Sequence, residues 1–256
     1  ILVQQATTIR SPTEPGTPSG CGYEPETTTH EINLSANLLL GDCIKYMQAM
    51  PNESIDHIYT DPPYAIDMKM LAQEGTGIVD IDRVADEHDV DQNIILLHNF
   101  LRQASRILKH TGFCVLWYDL DMHESLKATA IVEDFSVQRW PLIWTKTHIC
   151  QNQAAAYNFT KCTEVAMVLR KQKAVLAQHQ GRNYFSCGND KQDYNVSHPF
   201  WKPLTLHFWV LNAIALPGQT VLDPFAGCGS IPLACAQLGL SFTAIELVPE
   251  HYSIMR

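Results

Sequence analysis

Ten residues near the end of the chain, Val221-Leu-Asp-Pro-Phe-Ala-Gly-Cys-Gly-Ser230, constrain the fold more than any other stretch. A short apolar run carries Asp223 to the end of a predicted strand. Gly227 and Gly229 then free the backbone for a tight turn, and Ser230 opens an apolar helical segment. A carboxylate at a strand's carboxyl end, followed by a glycine turn into a helix, belongs to an open α/β sheet. Nucleotide-like ligands lie across the carboxyl ends of such sheets. The spacing is not G-x-G-x-x-G, and no Lys-Ser/Thr follows to make a phosphate loop. Glu246 ends the next predicted strand, where it could accept hydrogen bonds from ribose hydroxyls. A tight turn with no ligand also satisfies this stretch alone.

The rest of the chain fits the same class. Its 256 residues, 46% hydrophobic and 18% charged, suit one domain or at most two with a sizeable core. Strands are predicted at 33–41, 56–61, 113–118, 220–225 and 241–247, with a pair near 135–145 and 164–170. Leu97, Phe100, Leu101, Ala104, Ile107 and Leu108 fall at helical spacing, and this helix is expected to stop at Lys109-His110-Thr111-Gly112. Further helices are expected over 122–132, after Pro203, over 230–239 and at the C-terminal end. Alternating strands and helices give an α/β fold with a largely parallel sheet. Residues 1–32, rich in Thr, Ser, Pro and Glu, read as a tail or linker. The missing initiator Met suggests a chain processed or cut from something longer. Residues 65–92 are acidic, with carboxylates far outnumbering Lys69 and Arg83, and read as a mobile excursion.

The second chemical signal is Thr60-Asp61-Pro62-Pro63-Tyr64. Two prolines directly after a buried strand fix the backbone and remove two N–H donors. Carbonyl oxygens, one carboxylate and one aromatic ring remain. That set suits a planar amine, with acceptors for its hydrogens and a ring to stack on its heterocycle. A structural turn fits the bare tetrapeptide equally well.

Taken together, Asp61-Pro-Pro-Tyr64 and Asp223-Pro-Phe-Ala-Gly-Cys-Gly-Ser230 resemble the amino-methyltransferases that modify exocyclic nitrogens of DNA bases. Gly41-Asp42-Cys43, Trp140-Pro-Leu-Ile-Trp-Thr-Lys146, Thr163-Glu164 and His198-Pro-Phe-Trp-Lys-Pro203 are similar to further segments of that family, so the resemblance spans about 33–256. It implies a Rossmann-like methyltransferase sheet, mostly parallel with one antiparallel strand, in the circularly permuted β-class order with the catalytic motif first. It implies S-adenosylmethionine as cofactor and DNA as partner. Asp223, Phe225, Ala226, Gly227, Gly229 and Ser230 would line the cofactor, Glu246 would meet its ribose, and Asp42 with Cys43 its adenine. His198 and Lys202 would lie near its amino-acid end, the lysine meeting its carboxylate. Asp61, Pro62 and Pro63 would hold the target amino group, and Tyr64 would stack on the extruded base. Phe200-Trp201 replace a more polar pair of the family. Read without the family, Asp42 is a helix N-cap, Lys202 a surface lysine, and Glu164 a strand residue paired with a basic neighbour.

A net charge of −9 argues against a polyanionic partner, but its distribution does not. Arg139 to Lys202 holds nine basic residues against three acids. A target-recognition insertion is therefore expected at about 147–197, with Lys161, Arg170, Lys171, Lys173, Arg182 and Lys191 on phosphates. Asn183, Tyr184 and Asn195 could read bases. The insertion is short, so the enzyme either reads few base pairs, acts as a homodimer, or borrows specificity from a fused domain ahead of residue 1. The tryptophans read as core or interface. Eight cysteines without a C-x-x-C, and no apolar run long enough to span a membrane, point to a reduced, cytoplasmic setting. The histidines and cysteines show no metal spacing. Asp-Pro-Pro-Tyr favours adenine N6 over cytosine N4. RNA as substrate, a catalytically silent DNA-binding module and a nucleotide-dependent oxidoreductase are the other readings, the last failing on its glycine spacing.

Overall fold

The computed structural model describes residues 34–63, 90–147, 159–188 and 201–256, with side chains from residue 93 in the second of these ranges. The expected tail, nearly all of the acidic segment, and Tyr64, Lys191, Asn195 and His198 lie outside them. In chain order the elements are β1 (Ala36–Leu40), α1 (Cys43–Ala49), β2 (Ile55–Thr60), α2 (Val90–Ile107), β3 (Leu108–Tyr118), α3 (His123–Val132), β4 (Ser136–Val137), β5 (Leu142–Lys146), β6 (Thr163–Arg170), β7 (Tyr184–Cys187), α4 (Leu204–Ile214), β8 (Thr220–Asp223), α5 (Ser230–Gln237), β9 (Ser241–Glu246) and α6 (Pro249–Met255).

The strands form one sheet in the order β1-β9-β8-β2-β3-β6-β5-β7, with β4 also on β6. Strand β6 runs antiparallel to β3, β4 and β5, and every other pairing is parallel. The expectation of a single antiparallel strand holds among the described residues. Alternation along the strands separates two apolar layers. Ile58 and Leu116 face Leu97, Phe100 and Leu101 of α2 and Leu126 of α3. Their neighbours Tyr59, Val115 and Trp117 face Leu204, Val210 and Leu211 of α4 and Ile231, Ala234 and Cys235 of α5. Both sheet faces are therefore covered, which is why the central strands read as nearly unbroken apolar runs.

The order in which strands are added reverses between the parallel neighbours β2 and β8. From β2 the chain crosses through α2 to β3 on one side. From β8 it crosses through α5 to β9 on the other, over the opposite face. That is the topological switch point of an open sheet, where a crevice opens beyond the strand ends. Asp61 and Asp223, at the ends of these two strands, flank it.

The stop expected for α2 is corrected. The helix ends at Ile107, and Leu108 already pairs with Ile55 as the start of β3. The register then jumps so that His57 meets Phe113, leaving 109–112 as an irregularity within the strand. Lys109 pairs with Asp56 at 2.7 Å and His110 with Glu53 at 3.2 Å, so this cationic stretch serves β2 and its approach rather than a helix end. Gly112 has a packing reason to be glycine, since a Cβ there would come within 2.5 Å of the Asp56 carbonyl oxygen. Strand β7 is an element that the sequence patterning does not reveal.

Candidate active site

The cofactor-type loop folds as its residues require. Asp223, buried at the end of β8, accepts from Thr60 Oγ1 at 2.7 Å and from the Phe225 amide at 3.3 Å, both on Oδ1. The Thr60 bond ties the tips of β2 and β8 together. Burial pushes the Asp223 carboxyl up to about 7, with Asp61 and Glu246 adding to the rise while Thr60 and the Phe225 amide oppose it. Glu246, at the tip of β9, accepts the Gly227 amide at 2.7 Å on one oxygen and the Val248 amide at 2.8 Å on the other. Gly227 and Gly229 adopt φ of +54° and +93°. A Cβ on Gly229 would meet Met255 Cγ at 2.7 Å, whereas one on Gly227 would enter open space. Among the described residues nothing fills the space beside the Gly227 Cα.

Pro62 and Pro63 continue from β2 without secondary structure. The Pro63 carbonyl accepts from Asn93 Nδ2 of α2 at 2.9 Å, which pins the loop after Asp61 to the helix beneath it. Asp61, Trp201, Asp223, Phe225, Gly227 and Ser230 line one cleft. A larger cavity, of about 770 Å³ including its open mouth, lies between α4 and the chain leading into β7, with Arg182, His179 and Trp209 on its wall. Among the described residues no Asp or Glu lines it, whereas Asp61 and Asp223 line the smaller cleft.

Lys202 is not a surface lysine. It is buried, and its ammonium pairs with Asp61 and, at 2.9 Å, with Glu164. Burial alone would lower its pKa, but Asp61 and Glu164 raise it, so it stays charged. Burial likewise opposes the Glu164 charge, yet Lys202 and Lys146 hold that carboxyl down at about 2. Asp42 caps α1, accepting the Ile44 amide at 2.8 Å, at the far end of the same edge beyond β9. The Cys43 side chain packs into the core, and burial with the Asp42 charge pushes its thiol up to about 12. A ligand there would meet the Cys43 backbone rather than its sulfur.

A polar chain missed by sequence reasoning runs beneath the cleft. Trp117 Nε1 donates to Tyr59 Oη at 3.2 Å, Tyr59 Oη lies 2.9 Å from His207 Nδ1, and His207 Nε2 lies 3.0 Å from Ser230 Oγ. Burial and the nearby Lys202 charge lower the His207 pKa to about 3, so the ring is neutral. The indole can only donate, so the tyrosine proton goes to Nδ1 and the Nε2–H goes to Ser230. Neither His207 nor Asn93 carries a spacing signal, because each finds its partners through tertiary packing.

The basic residues divide by position. Lys161 is exposed and lies 3.6 Å from Asp119, beside the catalytic edge. Arg182 is exposed over Tyr184, at 5.2 Å from its ring. Lys171 is 6% exposed, donates to Ser105 Oγ at 3.0 Å and sits over the Phe135 ring, so it cannot reach a phosphate. Arg170 pairs with Phe113 at the start of β3, about 20 Å along β6 from Glu164, and Lys173 bonds its backbone there too. Those three lie towards the edge of the sheet opposite the cleft. Trp144 and Trp201 are core as expected, whereas Trp140 is 63% exposed beneath Arg139. Among the described residues no cluster of three or more metal-ligating side chains occurs.

This geometry can be set beside known proteins. The family described as DNA methylase, covering N6 and N4 types, matches residues 55–256. The chain belongs to the N6/N4 DNA methylase family. It is 27% identical over 251 residues to the type II methyltransferase M.HinfI of Haemophilus influenzae, covering 87% of this chain and 68% of that one. It is 27% identical over 240 residues to M2.DpnII of Streptococcus pneumoniae, covering 86% and 87%. The fold matches M1.HpyAVI, solved as a complex with S-adenosylmethionine, at a TM-score of 0.66 and 21% identity over 86% of this chain and 97% of that one. It also matches the cytosine-N4-specific PvuII DNA methyltransferase at 0.69 and 14% identity over 87% and 86%. The N6/N4 methylase match begins at β2 and includes both motif-bearing strands. Among the described residues no helix is long and apolar enough to cross a membrane.

Proposed function

We propose that this protein transfers a methyl group from S-adenosylmethionine to the exocyclic N6 of an adenine flipped out of DNA. The observation that carries this reading is that Asp61 and the Asp223–Ser230 loop line a single cleft at the switch point. The cleft fits such a cofactor. The open Cα face of Gly227 leaves room for a ligand, and an acid pushed up to about 7 favours a ligand that brings positive charge. Asp223, Gly227, Gly229 and Ser230 would hold it near the methionine and ribose, with Glu246 on the ribose hydroxyls and Asp42 towards the adenine. Bound there, S-adenosylmethionine supplies an electrophilic methyl group.

The chain's own residues do the rest. An aryl amine is a poor nucleophile, because its lone pair is delocalised into the ring. The Asp61 carboxylate and the Pro62 carbonyl accept the two amine hydrogens, draw the nitrogen towards a tetrahedral shape and localise that pair. Holding the nitrogen in line supplies most of the remaining acceleration. The surplus proton passes to Asp61 and on to water, so Asp61 need not be a strong base. Extruding the base costs a few kcal/mol, and stacking on Tyr64 returns about 1–3 kcal/mol. Lys161 and Arg182, both exposed, would meet the phosphate backbone.

The aspartate of Asp61-Pro-Pro-Tyr64 supports adenine over cytosine. The test is incubation with tritiated S-adenosylmethionine and unmethylated DNA, followed by separation of the product nucleosides. Label in N6-methyladenine supports the reading. Label in N4-methylcytosine keeps the chemistry and moves the target, and label only in added RNA moves the substrate.

A further inference from the structure

Behind Asp61 stand three more charged side chains, Lys202, Glu164 and Lys146, and none of them has a part in the mechanism above. Lys202 pairs with both Asp61 and Glu164. Glu164 also binds Lys146 of β5 at 2.5 Å. The Lys202 ammonium lies 5.4 Å from the centre of the Trp117 ring, and that of Lys146 lies 5.0 Å from the Trp144 ring. Glu164 reaches this spot because β6 is antiparallel, which brings the start of the strand to the edge where the parallel strands end.

Two cations and two anions balance. Without Glu164, the cluster of Asp61, Lys202 and Lys146 would carry net positive charge and weaken the negative field that the target amine needs. The nitrogen gains positive charge as it takes up the methyl group, so a cluster that has become net positive opposes the step. Burial raises the stakes, because a buried ammonium with one carboxylate is held less firmly than one with two.

We propose that Glu164 is a positioning residue for methyl transfer: it holds Lys202 in place and offsets its charge, so that Lys202 anchors Asp61 without leaving the cluster net positive towards the target amine. The proposal rests on the reading of Asp61 as the amine acceptor. Lys202 faces Asp61 from the end of β2, Glu164 from β6, the Trp117 ring from β3 and neutral His207 from α4. Lys146 reaches it from β5 through Glu164, and Asp223 stands beyond Asp61 on β8. Removing one of the two carboxylates that keep Lys202 charged lowers its pKa. Once neutral, Lys202 no longer anchors Asp61 through an ion pair, so transfer is lost as the pH rises through that lower value.

The test measures kcat, the cofactor KM and, by calorimetry, the cofactor Kd for the full chain from about pH 6 to 10. The variants are Glu164→Gln, Glu164→Asp and Asp61→Asn. Glu164→Gln is expected to lower kcat by about 10–100-fold while cofactor Kd moves by less than about threefold, and to gain an alkaline limb absent from the wild type. Glu164→Asp, which keeps the charge on a shorter arm, recovers part of the rate. Wild-type kcat and pH profile in Glu164→Gln would overturn the proposal, as would an aspartate variant no better than the glutamine one. If Glu164→Gln does not fold, Glu164→Asp alone decides: a several-fold loss of kcat with an alkaline limb supports the role, and a wild-type profile removes it. Normal transfer by Asp61→Asn would instead refute the reading of Asp61, whatever Glu164 does.

Discussion

Gly227→Ala and Gly229→Ala separate what the glycine loop does for folding from what it does for a ligand. Both glycines have left-handed backbone, at φ of +54° and +93°. An alanine there carries roughly 1–2 kcal/mol of local strain. Restricting the unfolded chain returns about 0.4–1 kcal/mol. The net backbone cost is therefore about 1 kcal/mol at either position, which corresponds to a fall in Tm of about 2–4 °C for a chain of this size. The surroundings then differ. At Gly229 the new methyl meets Met255 Cγ at 2.7 Å, and displacing that side chain adds about 1 kcal/mol. At Gly227 it meets nothing within 4 Å and occupies open cleft. Gly227→Ala should therefore be the more stable variant and the weaker binder, losing at least about tenfold in S-adenosylmethionine affinity, or 1.4 kcal/mol. Thermal melts and calorimetry on both variants give the two numbers. Unchanged cofactor affinity in Gly227→Ala would refute the argument that the open Cα face is where the ligand lies.

Three other expectations follow from the same geometry. Asp223 has a folded pKa of about 7, above the ordinary carboxylate range, so the fold favours its protonated form. Its contribution to stability is full below about pH 4 and is lost as the pH rises through about 7. Asp223→Asn should thus melt above the wild type at pH 8 and level with it at pH 4, while binding the cofactor more weakly; equal melting at both pH values would contradict the assignment. Lys202→Met leaves the half-buried Asp61 and Glu164 without their shared cation, which should cost up to about 3 kcal/mol in a urea titration and abolish transfer. Lys161→Ala should reduce the slope of log affinity for DNA against log salt by about 1 without moving Tm, whereas Lys171→Ala should lower Tm and leave that slope unchanged.

The sequence made legible what depends on short-range pattern. The strand and turn around Asp223, the prolines after Asp61 and the helix bearing Leu97 to Ile107 each follow from local spacing, and each stands where expected. Alternating strands and helices gave the class of fold, and β6 is the single antiparallel strand among the described residues. What stayed hidden depends on which distant segments meet. Lys202 read by itself is a surface lysine, until α4's approach is seen to bury it between Asp61 and Glu164. His207 looks like a lone core histidine until Tyr59 and Ser230 close on its two nitrogens. Lys171 follows Arg170 in a basic run, yet the end of β6 turns it under Phe135. The register jump between β2 and β3 erased the helix stop, because Lys109 found a better partner in Asp56 than in a helix dipole.

The central claim is that Asp61 holds the target amine in the cleft that also takes the methyl donor. It is tested most directly by single-turnover methyl transfer with Asp61→Ala at saturating S-adenosylmethionine, beside a calorimetric titration of the same variant. The account predicts cofactor affinity within about threefold of the wild type and transfer reduced by at least about a thousandfold. Near-normal transfer by that variant would contradict it.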